Sequence, residues 1–180
     1  MTELKTDRLI LRQWRDSDLD PWAAMNSDPE VREYFPEILT REQSAGSLEH
    51  FRETIAERGW GFWAVEVAAT GEFVGMAGLD PVDEEMPFTG VEIGWRLARP
   101  AWGHGYATEA GQAVLAYGFG SLGLSEILAV TAVGNVRSQA VMRRLGMTHD
   151  PADDFDDPTV DKGPLRASVL FRLAAQPDPA

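Results

Sequence analysis

The 180-residue chain contains no cysteine. That excludes disulfides, thiolate metal sites and a cysteine-linked acyl intermediate, so any group transfer is direct or uses another nucleophile. Histidine is scarce, and His50, His104 and His149 show no ligand spacing, so no metal site is expected. No apolar run approaches the roughly 18 residues of a membrane span, and no basic segment precedes an apolar stretch at Met1. A cytoplasmic protein without a membrane partner is the expectation. Positive charge is also short: 16 Lys and Arg face 29 Asp and Glu, a net charge of −13. Nucleic-acid phosphates would be repelled, which argues against such a partner. The acidic surplus admits two readings, a cationic substrate or simple solubility.

What is present is a periodic, 44% hydrophobic sequence of a length suited to one domain, placed at 1–174, with 175–180 as a frayed tail. Strands are predicted at 7–14, 60–68, 72–79, 91–97, 126–133, near 147 and at 165–173. Helices are predicted over 18–27, from Asp28-Pro29, from Thr40 to about 58, after Gly105, and over 135–145. Thr40 and Gln43 form a capping box, and Gly59 closes the helix. The helix after Gly105 turns Ala107, Ala110, Val114 and Tyr117 inward, with Gly118, Gly120 and Gly123 marking its end. Strands and helices in this order give an α/β fold with a mixed sheet.

The richest segment is 91–107. An alternating strand (Val91, Ile93, Trp95, Leu97) enters a Gly-x-Gly turn at Gly103 and Gly105 and runs directly into a helix. Strand, glycine turn and helix N-terminus together offer unpaired N–H groups to an anion, usually a phosphate. The dinucleotide fingerprint fails at Thr108, where a third small residue is required, and Glu126 opens the next strand rather than ending it. The Lys-Ser/Thr pair of a P-loop is missing. Because the net charge is negative, a local cationic patch must oppose the global field. Arg96, Arg99, Arg137, Arg143 and Arg144 are the candidates.

Trp102-Gly103-His104-Gly105-Tyr106-Ala107 resembles the pyrophosphate loop of the GCN5-related N-acetyltransferases (GNAT), and Trp102 departs from its first position. Asn135-Val-Arg-Ser138 leading to Leu145-Gly146-Met147 is similar to the family helix that flanks the coenzyme A thiol end. With Thr6-Asp-Arg8-Leu-Ile-Leu-Arg12, the set resembles the branch of ribosomal-protein-alanine N-acetyltransferases, RimJ and RimL. The resemblance covers nearly the whole chain. It implies a mostly antiparallel, twisted sheet, flanked by helices, whose central parallel strand pair splays to hold coenzyme A. It also implies acetyl-CoA as co-substrate, an amine acceptor, and contacts to the coenzyme from Leu97, Ala98, Arg99, Trp102, Gly103, His104, Gly105, Tyr106, Ala107, Thr108, Asn135 and Ser138.

An amine must lose its proton before it attacks a thioester, and its pKa is about 8 for an α-amine and about 10.4 for a lysine type. Glu92, on the strand face opposite Val91 and Ile93, is the candidate base; a carboxylate tied to a helix or an arginine is the rival reading. Glu109 is read as structural. The family's thiolate-protonating tyrosine falls on Met142, which leaves water as the proton donor and keeps a non-catalytic coenzyme A-binding module in view. Ser138 either meets the ligand near the reacting sulfur or returns a bond within its helix. The two short N-terminal helices cap the acceptor cleft in similar proteins, which points to Trp22, Tyr34 and Phe35 as its wall. The acceptor expected is a small cationic amine, such as a polyamine or an aminoglycoside-like compound, or a protein N-terminus. Monomer and homodimer both stay open.

Overall fold

A computed structural model describes residues 2–176. The chain opens with β1 (Leu4–Lys5), β2 (Leu9–Arg12), α1 (Leu19–Asn26) and α2 (Arg41–Arg58). The antiparallel strands β3 (Phe62–Val67), β4 (Glu72–Pro81) and β5 (Val91–Leu97) follow. Next come α3 (Tyr106–Gly120), β6 (Glu126–Ala132), α4 (Val136–Arg144), β7 (Thr148–His149), β8 (Phe155–Asp156) and β9 (Ala167–Ala174). All strands join one 9-stranded sheet in the order β1-β2-β3-β4-β5-β6-β9-β7, with β8 beside β9.

The pairing is antiparallel except between β5 and β6, which meet in parallel only where Glu92 faces Leu128. Beyond that point the strands diverge. Their separation opens the sheet at its centre, as the family resemblance implied.

Helix ends follow local chemistry. Thr40 accepts from the Gln43 N–H, the Gln43 side chain returns the bond, and Gly59 closes α2 at φ 82°. Asp28-Pro29 starts no helix. Asp28 accepts the Glu30 N–H through Oδ1, and residues 29–35 form turns held by Arg32 N–H to Asp28 and Phe35 N–H to Arg32. Gly118 does not end α3, which runs on to Gly120; a Cβ at Gly118 would come 2.6 Å from Ile127, so this glycine lets the helix sit close on β6.

The core lies on both faces of the sheet. Ile93 and Leu97 are buried on the α3 side, and Trp14, Trp22, Phe51 and Phe73 pack together under α1 and α2. On that second face Arg12 is buried yet fully partnered. It donates to Asp18 at 2.8 and 2.9 Å and to Glu66 at 2.7 Å.

Candidate active site

The opening between β5 and β6 continues into a cleft of about 1360 Å³, bounded by the start of α3, by α4 and by the turns at 30–35. That volume exceeds what one small ligand needs and suits a long ligand with a second molecule beside it. Past Glu92, the edge of β5 that faces β6 carries no ladder, so its backbone groups from Ile93 onward border the cleft.

At one end, Gly105 adopts φ 81° and is the N-cap of α3. The N–H groups of Tyr106, Ala107 and Thr108 therefore begin the helix without intrahelical acceptors and face the cleft. Gly103 has the same left-handed conformation, φ 79°. Buried Thr108 Oγ1 has no hydrogen-bond partner among the described residues, which makes it a further polar atom awaiting one. Trp102 braces the turn by donating its indole N–H to the Leu97 carbonyl at 2.8 Å.

Arg8 completes this end. It donates to the His104 carbonyl at 2.9 Å and to Glu109 Oε2 at 2.6 Å, while Glu109 Oε1 accepts from the Thr6 hydroxyl at 2.6 Å and from the Arg8 N–H at 2.9 Å. Glu109 thus has a structural role; burial would raise its carboxyl, yet the hydrogen bonds from Thr6 and Arg8 and the Arg8 charge hold it below the usual carboxylate range. No local pattern marks Arg8 for this loop, because it comes from a strand turn about a hundred residues away.

Several anticipated contacts are not walls of the cleft. The Ala98 N–H is spent on Val74, and Arg99 pairs with Asp28 at 2.7 Å and with Glu30. His104 stacks on Tyr106 beside the cleft. Trp22 is fully buried in the core, its indole N–H donating to Ser47 at 2.9 Å, so it cannot meet an acceptor directly. Tyr34 and Phe35 do line the opening. Of the candidate cationic patch, Arg137 pairs with Glu33, Arg143 lies over Phe171, and Arg144 borders the cleft.

Asn135 caps α4 by accepting the Ser138 N–H at 3.1 Å and anchors to Thr131 at 2.9 Å. The Ser138 hydroxyl makes no return bond in its helix among the described residues and faces the cleft. Met142 lies in the same wall, almost fully buried.

Glu92 sits where the strands part. Among the described residues no arginine pairs with its carboxylate, and no helix N-terminus donates to it. Burial, with the negative charges of Asp83, Asp80 and Asp157 added, pushes its pKa up to about 7. A carboxyl group at that value exchanges protons near neutral pH.

Residues 8–148 match the family described as Acetyltransferase (GNAT) domain. YkkB of Bacillus subtilis (strain 168) is 35% identical over 149 residues, 81% of this chain and 85% of that protein. The uncharacterized N-acetyltransferase YoaA of the same organism is 32% identical over 145 residues, 79% of this chain and 81% of its own length. Among solved structures, RimL, a ribosomal L7/L12 alpha-N-protein acetyltransferase in complex with coenzyme A, superposes with TM-score 0.77 at 14% identity. The superposition covers 96% of this chain and 98% of that one, and it shows a shared fold.

Proposed function

Because this chain belongs to the GNAT acetyltransferases, which use acetyl-CoA, we propose that it moves the acetyl group directly to a primary amine in a ternary complex, with Glu92 as general base. The observation that carries this is the placement of Glu92. Its carboxylate is half-buried, without a cation among the described residues, at the point where β5 leaves β6, and its pKa of about 7 suits proton removal from an amine.

Acetyl-CoA supplies the thioester when bound. The Gly105 turn, the first N–H groups of α3 and Thr108 Oγ1 would take its pyrophosphate, braced by Arg8. The unladdered edge of β5 would hold the pantetheine arm and polarise the acetyl carbonyl through backbone N–H groups. Ser138, which lines the same cleft from α4, would hydrogen-bond near the sulfur. Met142 offers no proton, so water protonates the departing thiolate.

The acceptor is proposed to be a small primary amine that enters between the 30–35 turns and the acidic residues around Glu92. Asp80, Asp83 and Asp157 favour an amine that arrives protonated. The test is thiol release from acetyl-CoA against a panel of primary amines and peptides with free N-termini. Turnover that Glu92→Gln reduces at neutral pH is the expected result; a base in this role is worth about 10²–10⁴-fold. Turnover unaffected by Glu92→Gln at every pH would remove Glu92 from the mechanism. Acetyl-CoA binding without transfer to any amine would overturn the enzymatic reading of the acceptor side.

A further inference from the structure

In an acidic chain, an arginine without a carboxylate is unusual. Arg12, buried under α1, has two acidic partners, and Arg8, Arg99 and Arg137 near the cleft each pair with Asp or Glu; Arg144, which also borders the cleft, is exposed to solvent. Arg96 has no such partner among the described residues. It rises from β5 on the same face as Glu92, with Gly94 between them, and borders the cleft. Its Nη1 donates to Asn26 Oδ1 at 3.0 Å, and its buried Nε has no partner among the described residues. Its guanidinium lies 4.3 Å from the Phe35 ring centre and 5.3 Å from that of Trp22.

Arg32 stands on the other side of the problem. It is buried and lies 4.2 Å from the same Phe35 ring; among the described residues its side chain donates to the Glu37 main-chain carbonyl at 2.8 Å, and the Glu37 carboxylate acts on it without forming an ion pair. Two guanidiniums thus share one aromatic ring, and no described carboxylate forms an ion pair with either. Burial and the charge of Arg32 together depress the Arg96 pKa to about 9, the signature of a cation whose counter-charge is missing. Asn26 and the two rings offset part of the cost of this arrangement, but a desolvated charge without a carboxylate remains destabilising to the fold. An anionic group entering the cleft would supply what the chain withholds, and the planar fork of a guanidinium matches a carboxylate.

Resting on the acetyl-transfer reading above, we propose that Arg96, backed by Arg32 across Phe35, is the specificity pole for a carboxylate carried by the acceptor. The acceptor is then a small amino acid-type molecule, its amine toward Glu92 and its carboxylate toward Arg96. The two residues are separated by about 13 Å of strand, with Gly94 leaving the face open between their side chains. A polycation fits the Glu92 end and is repelled at the Arg96 end.

The experiment compares ω-amino carboxylates, from glycine to 6-aminohexanoate, with their carboxamides and with a polyamine. Thiol release from acetyl-CoA reports transfer; calorimetric titration in the presence of coenzyme A reports binding without turnover. The expected result is a preference for the carboxylate of at least about tenfold in kcat/KM at the best chain length, carried by KM. Arg96→Gln should erase that preference, bringing the carboxylate to the level of its carboxamide within the same variant, and Arg96→Lys should restore part of it. The comparison within the wild-type protein stands even if a variant folds poorly. Selective carboxylate binding without transfer to any amine would sustain the pole and defeat the transfer reading. Equal handling of carboxylate and carboxamide, or preference for the polyamine, would overturn the proposal.

Discussion

Replacing Glu92 by Gln should stabilise the protein at alkaline pH while it disables the proposed base. The folded chain raises the Glu92 pKa from 4.5 to about 7. Between those values the folded chain keeps a proton that the unfolded chain has released, so stability falls as pH rises through that window. Below it nothing is lost; above it the whole effect is present. The resulting penalty is under about 1 kcal/mol at pH 5 and about 3 kcal/mol at pH 8. Gln keeps the shape and never ionises, so it escapes the penalty. Urea unfolding of both proteins at the two pH values reads the difference, and at pH 8 the variant's Tm should stand about 6–12 °C higher. Glu57→Gln on the exposed face of α2 controls for the loss of one negative charge from a chain of net charge −13. A gain independent of pH, or one matched by Glu57→Gln, would refute the burial argument, and with it the reason for a base poised near neutrality.

Gly105→Val should weaken acetyl-CoA binding by at least about tenfold in a calorimetric titration, because valine resists φ 81° and its side chain would meet Arg8. Affinity equal to wild type would count against the loop assignment. Arg12→Ala leaves Asp18 buried without its cation and Glu66 with Arg15 alone, and should lower unfolding free energy by about 3–5 kcal/mol. A loss below about 1 kcal/mol by chemical denaturation would mean that the cluster is hydrated. Ser138→Ala should lower kcat by a few-fold with little change in stability, as its hydroxyl supports nothing in α4. A fall in Tm without a fall in kcat would mark a structural role.

The parts legible in the sequence were those set by neighbours along the chain. The alternation from Val91 to Leu97, the Gly105 turn and the Thr40–Gln43 cap are short-range patterns, and each reappears in the fold. The two-residue strands β1 and β8 carry too little periodicity to be read. Trp22 looked like a cleft aromatic because nothing local says which side of α1 turns inward, and the Trp14–Phe51–Phe73 cluster decides it. Arg96 was read as one of several cations for a phosphate-bearing ligand. Its isolation emerges only when Asn26, Phe35 and Arg32 gather around it from distant turns. Arg8 stands out in the sequence only as part of a family pattern, and its place under the Gly105 loop rests on Glu109.

The Glu109 clasp also bears on the order in which the molecule assembles. Thr6 and Glu109 are 103 residues apart, so the contact closes a very long loop and carries that entropy until both ends have docked. The strand, glycine turn and helix around Gly105 can form early from local interactions, whereas their final setting waits for the first hairpin to arrive. On the proposed site, competence to hold the coenzyme is therefore expected among the last properties the chain acquires as it folds. Coenzyme binding can consequently serve as a reporter of completed folding, with amide exchange at Tyr106–Thr108 slowing only after the β1–β2 turn is protected.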